Sequence, residues 1–306
     1  IEAFEDSGRA LTRGMSVFGV YASNLNDKQV QALESEMSPL LAAFDDEIIQ
    51  NSKLFQRIKA VQTDSASADL TPEQQRLVDT HFRRFERRGA GLDEAQKIRL
   101  KAINQRLASL FTNFSQNQLA DEEGYILTID SEADLAGVPD SLRAGAAQAA
   151  KDRELAGKWV FTNTRSSMEP FLSYSSRRDL REKGWRMWVN RGNNDDQHDN
   201  KAIISEILQL RAERAKLLGY PTHAHWIIAN NMAKTPDAAL ALMMKVWPAA
   251  VARAREEVAD MQALADQEAV ATKTADFMIE PWDYRYFAEK VRLAKYAIDQ
   301  NEVKEY

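Results

Sequence analysis

Residues 94–120 read EAQKIRLKAINQRLASLFTNFSQNQLA, and the spacing of their apolar side chains decides the fold class. Leu100, Ile103, Leu107, Leu110 and Phe114 follow one another at steps of 3, 4, 3 and 4. An α-helix turns once in about 3.6 residues, so these five side chains form one stripe along one face. A helix that carries such a stripe needs partners to cover it, and the flanking sequence supplies them.

The same period recurs outward in both directions. Met37, Leu41, Phe44 and Ile48 mark a helix upstream, and Ile203, Ile207, Leu210 and Leu217 mark one downstream. The longest stripe runs from Pro236 to about Gln267 through Leu240, Met243, Trp247, Val251, Ala254, Val258, Met261 and Ala265. Pro248 lies inside it and should bend the helix, because it removes one backbone donor and crowds the preceding turn. Helix starts are legible as well. Thr71-Pro72-Glu73-Gln74 offers a hydroxyl cap, a proline at the first helical position and a returning Gln side chain. Thr235-Pro236-Asp237 repeats the cap, and Asp283 is placed to cap the last helix. Two stretches read as strands, Tyr125–Ile129 and Lys158–Thr162, with a helix at 141–152 between them. The segments 191–200 and 269–276 read as polar loops. The expected architecture is mainly α: a large multi-helix lobe with a small two-stranded β element. One continuous lobe over 1–306 is preferred, with a possible sub-boundary near 191–200, because the helices on both sides of that loop carry stripes that need covering.

Hydrophobic residues make up 44% of the chain and charged residues 28%, the balance of a globular protein. Forty Lys and Arg against forty-six Asp and Glu leave a formal charge of −6, which disfavours nucleic acid as a partner. No apolar run approaches the roughly 18 residues a membrane span requires. With no cysteine, disulfides, thiol catalysis and thiolate metal ligation are excluded. The chain opens at Ile1 rather than Met, which suggests residues ahead of it and leaves the compartment unassigned.

The sequence offers little chemistry of its own. Its four histidines are His81, His198, His223 and His225. A zinc peptidase of the HExxH type needs two imidazoles four apart on one helix face with a Glu between them, and no pair here has that spacing. His223 and His225 are two apart, which on a helix points them about 200° from each other. His81 lies amid Arg83, Arg84, Arg87 and Arg88, where positive charge would repel a metal. His198 sits in a polar loop beside Asp196 and Asp199. The acidic runs Asp45-Asp46-Glu47 and Asp195-Asp196 read as helix surface and loop, and the basic run 83–88 as a solvated helix end. Trp282, Tyr284, Tyr286 and Phe287 fit a core more readily than a peptide groove. No catalytic, cofactor-binding or metal-ligating residue is assigned within the chain.

Three stretches carry a resemblance. Residues 198–220 include ISEILQLRAERAKLLGY at 204–220, residues 221–236 include MAKTP at 232–236, and residues 280–287 read EPWDYRYF. In this order and spacing they resemble the middle of the thimet oligopeptidase/dipeptidyl carboxypeptidase family of zinc metallopeptidases, and in particular its bacterial peptidyl-dipeptidases. The likeness extends to the earlier helices and so over essentially the whole chain. It implies two mostly helical lobes around a deep, narrow channel that admits short peptides, with release of C-terminal dipeptides. It also implies a zinc bound by two His and a Glu, beyond the point where this chain stops. The expectation is therefore an N-terminal half that supplies channel wall, takes no zinc, is inactive alone and docks a C-terminal catalytic half. A lobe of that kind should expose an extended apolar patch. The rival expectation is a stand-alone helical binding or scaffold protein derived from the peptidase.

Overall fold

The computed structural model describes residues 1–65 and 69–297. The expected span of 1–306 therefore includes positions 66–68 and 298–306, which lie outside the described residues. In chain order the elements are helices α1 (Glu2–Glu5), α2 (Arg9–Asn24), α3 (Lys28–Ile49), α4 (Ser52–Asp64), α5 (Pro72–Arg87) and α6 (Glu94–Gly124), followed by strand β1 (Ile126–Ile129). Helix α7 (Asp140–Lys151) leads to strand β2 (Trp159–Thr162) and then α8 (Arg165–Tyr174) and α9 (Arg178–Val189). The chain continues through α10 (Lys201–Leu217), α11 (His223–Ile228), α12 (Pro236–Thr272) and α13 (Tyr284–Tyr296). The fold is mainly α with one small sheet, and no helix among the described residues is long and apolar enough to cross a membrane. The chain forms two compact units: residues 1–116 with 200–239, and residues 117–199 with 240–306.

The first unit is built by caps and stripes. Asp27 accepts from the backbone of Gln29 and Val30 to start α3, and Asn51 accepts from Leu54 to start α4. At α5 the capping box closes in both directions: Gln74 N–H donates to Thr71 Oγ1 at 3.2 Å, and Thr71 N–H donates to Gln74 Oε1 at 3.0 Å. One core gathers Ile49, Phe55, Ile58, Phe85 and Ala90, with the Phe55 ring stacked on Phe82 and Phe85. A second core joins α6 to α10 through Ile103, Leu107, Leu110 and Ile207. The predicted α6 stripe is thus the buried one. Along the rim of that contact Arg106 pairs with Glu206 and Arg99 with Glu213, fork to fork, at 2.6–2.7 Å. These pairs are exposed, so they fix register more than they stabilise.

In the second unit β1 and β2 pair antiparallel, with Ile126 opposite Thr162 and Ile129 opposite Trp159. Leu127, Ile129 and Phe161 face a core that includes Leu135, Val138, Met168, Phe171 and Leu172. Gly137 adopts φ +81°, and an added Cβ there would lie 2.4 Å from the Tyr174 carbonyl oxygen, so the close turn requires glycine. The polar 191–200 segment is a pinned loop. Buried Asp121 accepts from Gly192 N–H at 2.7 Å and from Asn194 Nδ2 at 2.8 Å. Helix α12 meets α13 through Met261, Ala265, Tyr286 and Phe287.

Three expectations change. Residues 269–272, read as loop, belong to α12, because Met261, Ala265 and Ala269 form a buried row at every fourth position and packing carries the helix onward. The first part of the α12 stripe is exposed instead of buried: Leu240, Met243 and Trp247 keep 52%, 58% and 61% of their surface. In the 37–48 stripe Phe44 is exposed, and Asp46 and Ile49 take the buried positions.

Candidate functional site

Helix α13 and the turn ahead of it gather charged and aromatic side chains of the second unit. Asp283 is the first flanking residue of α13, as its sequence suggests, but it makes no side-chain cap. Its carboxylate is fully buried and accepts from both Nε and Nη2 of Arg178, at 2.8–3.1 Å, and from Arg181 Nη2 at 2.8 Å. Two guanidiniums outcompete the backbone donors at the helix start, because charge-assisted forks are the stronger bonds. Arg181 is 2% exposed, gives a second bond to the Ser175 carbonyl, and lies 4.0 Å above the Tyr286 ring. Arg178 lies 4.2 Å from the Phe277 ring centre. The RDLR sequence that opens α9 therefore places Arg178 and Arg181 three apart, where both reach Asp283 at the start of α13.

Two clefts flank this ion cluster. One, of about 440 Å³, is lined by Leu172, Trp185, Trp188, Pro281, Trp282, Tyr284 and Arg285. Trp185 meets Trp282 edge to face at 5.7 Å, and the indole N–H groups of Trp188 and Trp282 are buried without an acceptor. The other, of about 660 Å³, is bounded by Arg178, Arg181, Glu268, Asp276, Phe277 and Tyr286 among others. Aromatic walls with a few fixed charges suit a largely apolar ligand that carries a polar group. The aromatic run 282–287 thus divides: Tyr286 and Phe287 fill the core as expected, and Trp282 and Tyr284 face a cleft. Sequence reading missed Arg178, Arg181, Trp185 and Trp188. Their signal was the i, i+3 spacing of each pair on α9.

His81 is buried, not solvated: its ring meets Phe4 at 5.3 Å and its Nε2 lies 2.7 Å from Glu5 Oε1. His198 accepts or donates through Nε2 to Gln197, and its N–H donates to Asp196. Asp196 also accepts from Tyr125 Oη at 2.8 Å. The His198 N–H and that phenol hold the Asp196 carboxyl below its usual range. His225 Nδ1 pairs with Thr222 Oγ1 at 2.8 Å, and His223 packs on Trp226. Burial and the charges of Arg211 and Arg214 hold the His223 imidazole below its usual pKa. Two readings need correction. Asp46 is not helix surface: it is 2% exposed, accepts from Asn104 Nδ2 at 2.8 and 3.1 Å, and burial raises its pKa. Nor is the 83–88 run a simply solvated helix end. Phe85 is core, Arg88 pairs with Asp45, and Arg87 bonds the Trp226 carbonyl while Trp226 Nε1 donates back to the Arg87 carbonyl at 3.0 Å.

Zinc does not fit these residues. Among the described residues no three His, Cys, Asp or Glu side chains lie together as a metal's ligands would. The nearest approach, His223 and His225, has one ring packed on an indole and the other bonded to a hydroxyl.

Comparison with known proteins shows what the chain is similar to. Peptidase family M3 matches at residues 171–306, the portion that holds the α9–α13 cluster. The chain is 38% identical over 307 residues to dipeptidyl carboxypeptidase of Escherichia coli (strain K12), covering 100% of this chain and 44% of that protein. It is 36% identical to dipeptidyl carboxypeptidase of Salmonella typhimurium, covering 99% and 44%, and 30% identical to oligopeptidase A of Haemophilus influenzae, covering 97% and 43%. Residues 171–306 thus match peptidase family M3, a family of zinc metallopeptidases, and the chain as a whole is similar to the peptidases named above. It spans less than half the length of these relatives.

Proposed function

We propose that this chain is the N-terminal, channel-wall part of a zinc metallopeptidase that hydrolyses oligopeptides and releases C-terminal dipeptides. The observation that carries the reading is the similarity of essentially all of this chain to part of two dipeptidyl carboxypeptidases, at 38% and 36% identity. In this reading the zinc and its HExxH helix belong to a catalytic half outside these 306 residues, and short peptides are the substrate. The cleft lined by Trp185, Trp188, Trp282 and Tyr284 supplies a surface on which an unstructured peptide can lie. The exposed α12 residues Leu240, Leu242, Met243, Met244, Val246 and Trp247 supply an apolar face for the catalytic half.

The experiment measures zinc content and turnover of an internally quenched peptide. The chain alone should hold no stoichiometric zinc and show no turnover, and a protein that also carries the HExxH half should show both. Turnover by the chain alone, surviving metal-affinity cleanup and sensitive to a chelator, rejects the proposal. Peptide binding with no turnover in either form favours the scaffold reading instead.

A further inference from the structure

In the first unit, α10 carries two neighbouring cations that form no ion pair among the described residues. Arg211 and Arg214 are three apart, so they share a face of the helix. Arg214 Nη1 donates to Asn104 Oδ1 at 3.1 Å, and its guanidinium lies 4.6 Å from the Trp226 ring centre. The Arg211 guanidinium lies 5.1 Å from the Phe111 ring centre. Among the described residues no carboxylate forms an ion pair with either side chain, and the Nε of each is buried with no acceptor. Arg87 Nε and His223 Nδ1, from α5 and α11, are also buried without partners.

The contrast within α10 is informative. Its two glutamates, Glu206 and Glu213, are each matched to an α6 arginine by two bonds. Asp46, whose charge acts on Arg214, is held by the Asn104 amide. Desolvation, followed by the charges of Arg211 and Arg88, lowers the Arg214 pKa to about 10. Two like charges held side by side in a half-buried setting cost free energy unless an anion joins them. Both side chains retain partial exposure, so a ligand can reach them. Planar guanidiniums offer parallel donors that suit the two oxygens of a carboxylate better than a spherical anion such as chloride.

We propose that Arg211 and Arg214, backed by Phe111 and Trp226, form a binding site for a carboxylate. The group comes either from a polypeptide or from a small free acid. The inference rests on this unit's own charges and is independent of the peptidase reading.

The test titrates the 306-residue chain by calorimetry with sodium acetate, with an N-acetylated dipeptide bearing a free C-terminal carboxylate, and with the amide of that dipeptide. Sodium chloride and sodium phosphate at matched ionic strength serve as controls. The free acids should bind and the amide should not. Arg211→Gln and Arg214→Gln should each weaken binding about tenfold or more, the loss expected for a hydrogen bond to a charged group. Arg211→Lys keeps the charge, so a folded variant with weaker carboxylate binding confirms the role of the fork. Tighter binding of the dipeptide than of acetate assigns a polypeptide source, and equal binding assigns a free acid. Chloride or phosphate binding as well as acetate means an adventitious ion only and overturns the proposal. So does affinity that is unchanged in folded Gln variants, or an absence of carboxylate binding.

Discussion

At the residue scale the informative side chains are buried acids. Asp283 neutralises Arg181 in a site where Arg181 keeps 2% of its surface. Asp283→Ala strands that cation and should cost about 3–5 kcal/mol, read as a lower urea midpoint by tryptophan fluorescence. Replacing both partners, Arg181→Met with Asp283→Leu, should recover most of the loss, because the desolvation cost goes with the charges. An equal loss in the single and double variants would mean the pair is not what holds α9 to α13. Asp46 behaves in the opposite sense. Its folded pKa is raised, chiefly by burial, so the folded state holds the proton more tightly than the unfolded state. Its contribution to stability therefore falls as pH rises from the unfolded pKa of 3.8 through the folded value. Asp46→Asn should gain relative to the parent chain between pH 4 and pH 7, as followed by urea unfolding at both values. A constant difference across that range would refute this account. Neither burial was legible in the sequence, because Asp46 finds Asn104 58 positions away and Asp283 finds Arg178 105 positions away. Acidic residues in a helical pattern read as surface until such a partner is known.

At the element scale periodicity served well where a partner element covers the apolar face. The α6 stripe, the β1–β2 pair and the Thr71 cap follow from local rules that hold whatever the rest of the chain does. Helix α12 shows the limit: its apolar period is continuous from Leu240 to Ala265, and only the later part is covered. Periodicity reports that a face wants burial, not whether something buries it. The two parts should respond differently to truncation. Phe287→Ala, in the covered contact, should cost about 3–5 kcal/mol. Trp247→Gln should change stability by no more than about 0.5 kcal/mol while reducing self-association in sedimentation velocity. A large loss of stability for Trp247→Gln would show that this face is already covered in solution.

At the scale of the whole molecule, the sequence motifs carried the resemblance to a peptidase family, and the aromatic clefts and the unpaired arginines needed coordinates. A groove is made by residues from several elements, and no single segment spells it. The absence of any triad of metal-ligating side chains among the described residues gives a direct expectation. Excess zinc or a chelator should leave the thermal midpoint of the chain unchanged, whereas a structural zinc would raise and lower it respectively.

The interleaving of the two units also sets a timetable for birth on the ribosome. Ile103, Leu107 and Leu110 emerge early, yet the Ile207 side that seals them is encoded about a hundred codons later, after most of the intervening body has been made. At translation speeds of about 5–20 residues per second, that greasy face waits roughly 5–20 seconds for its cover. A nascent chain of this design is a natural client for a holding chaperone during that interval.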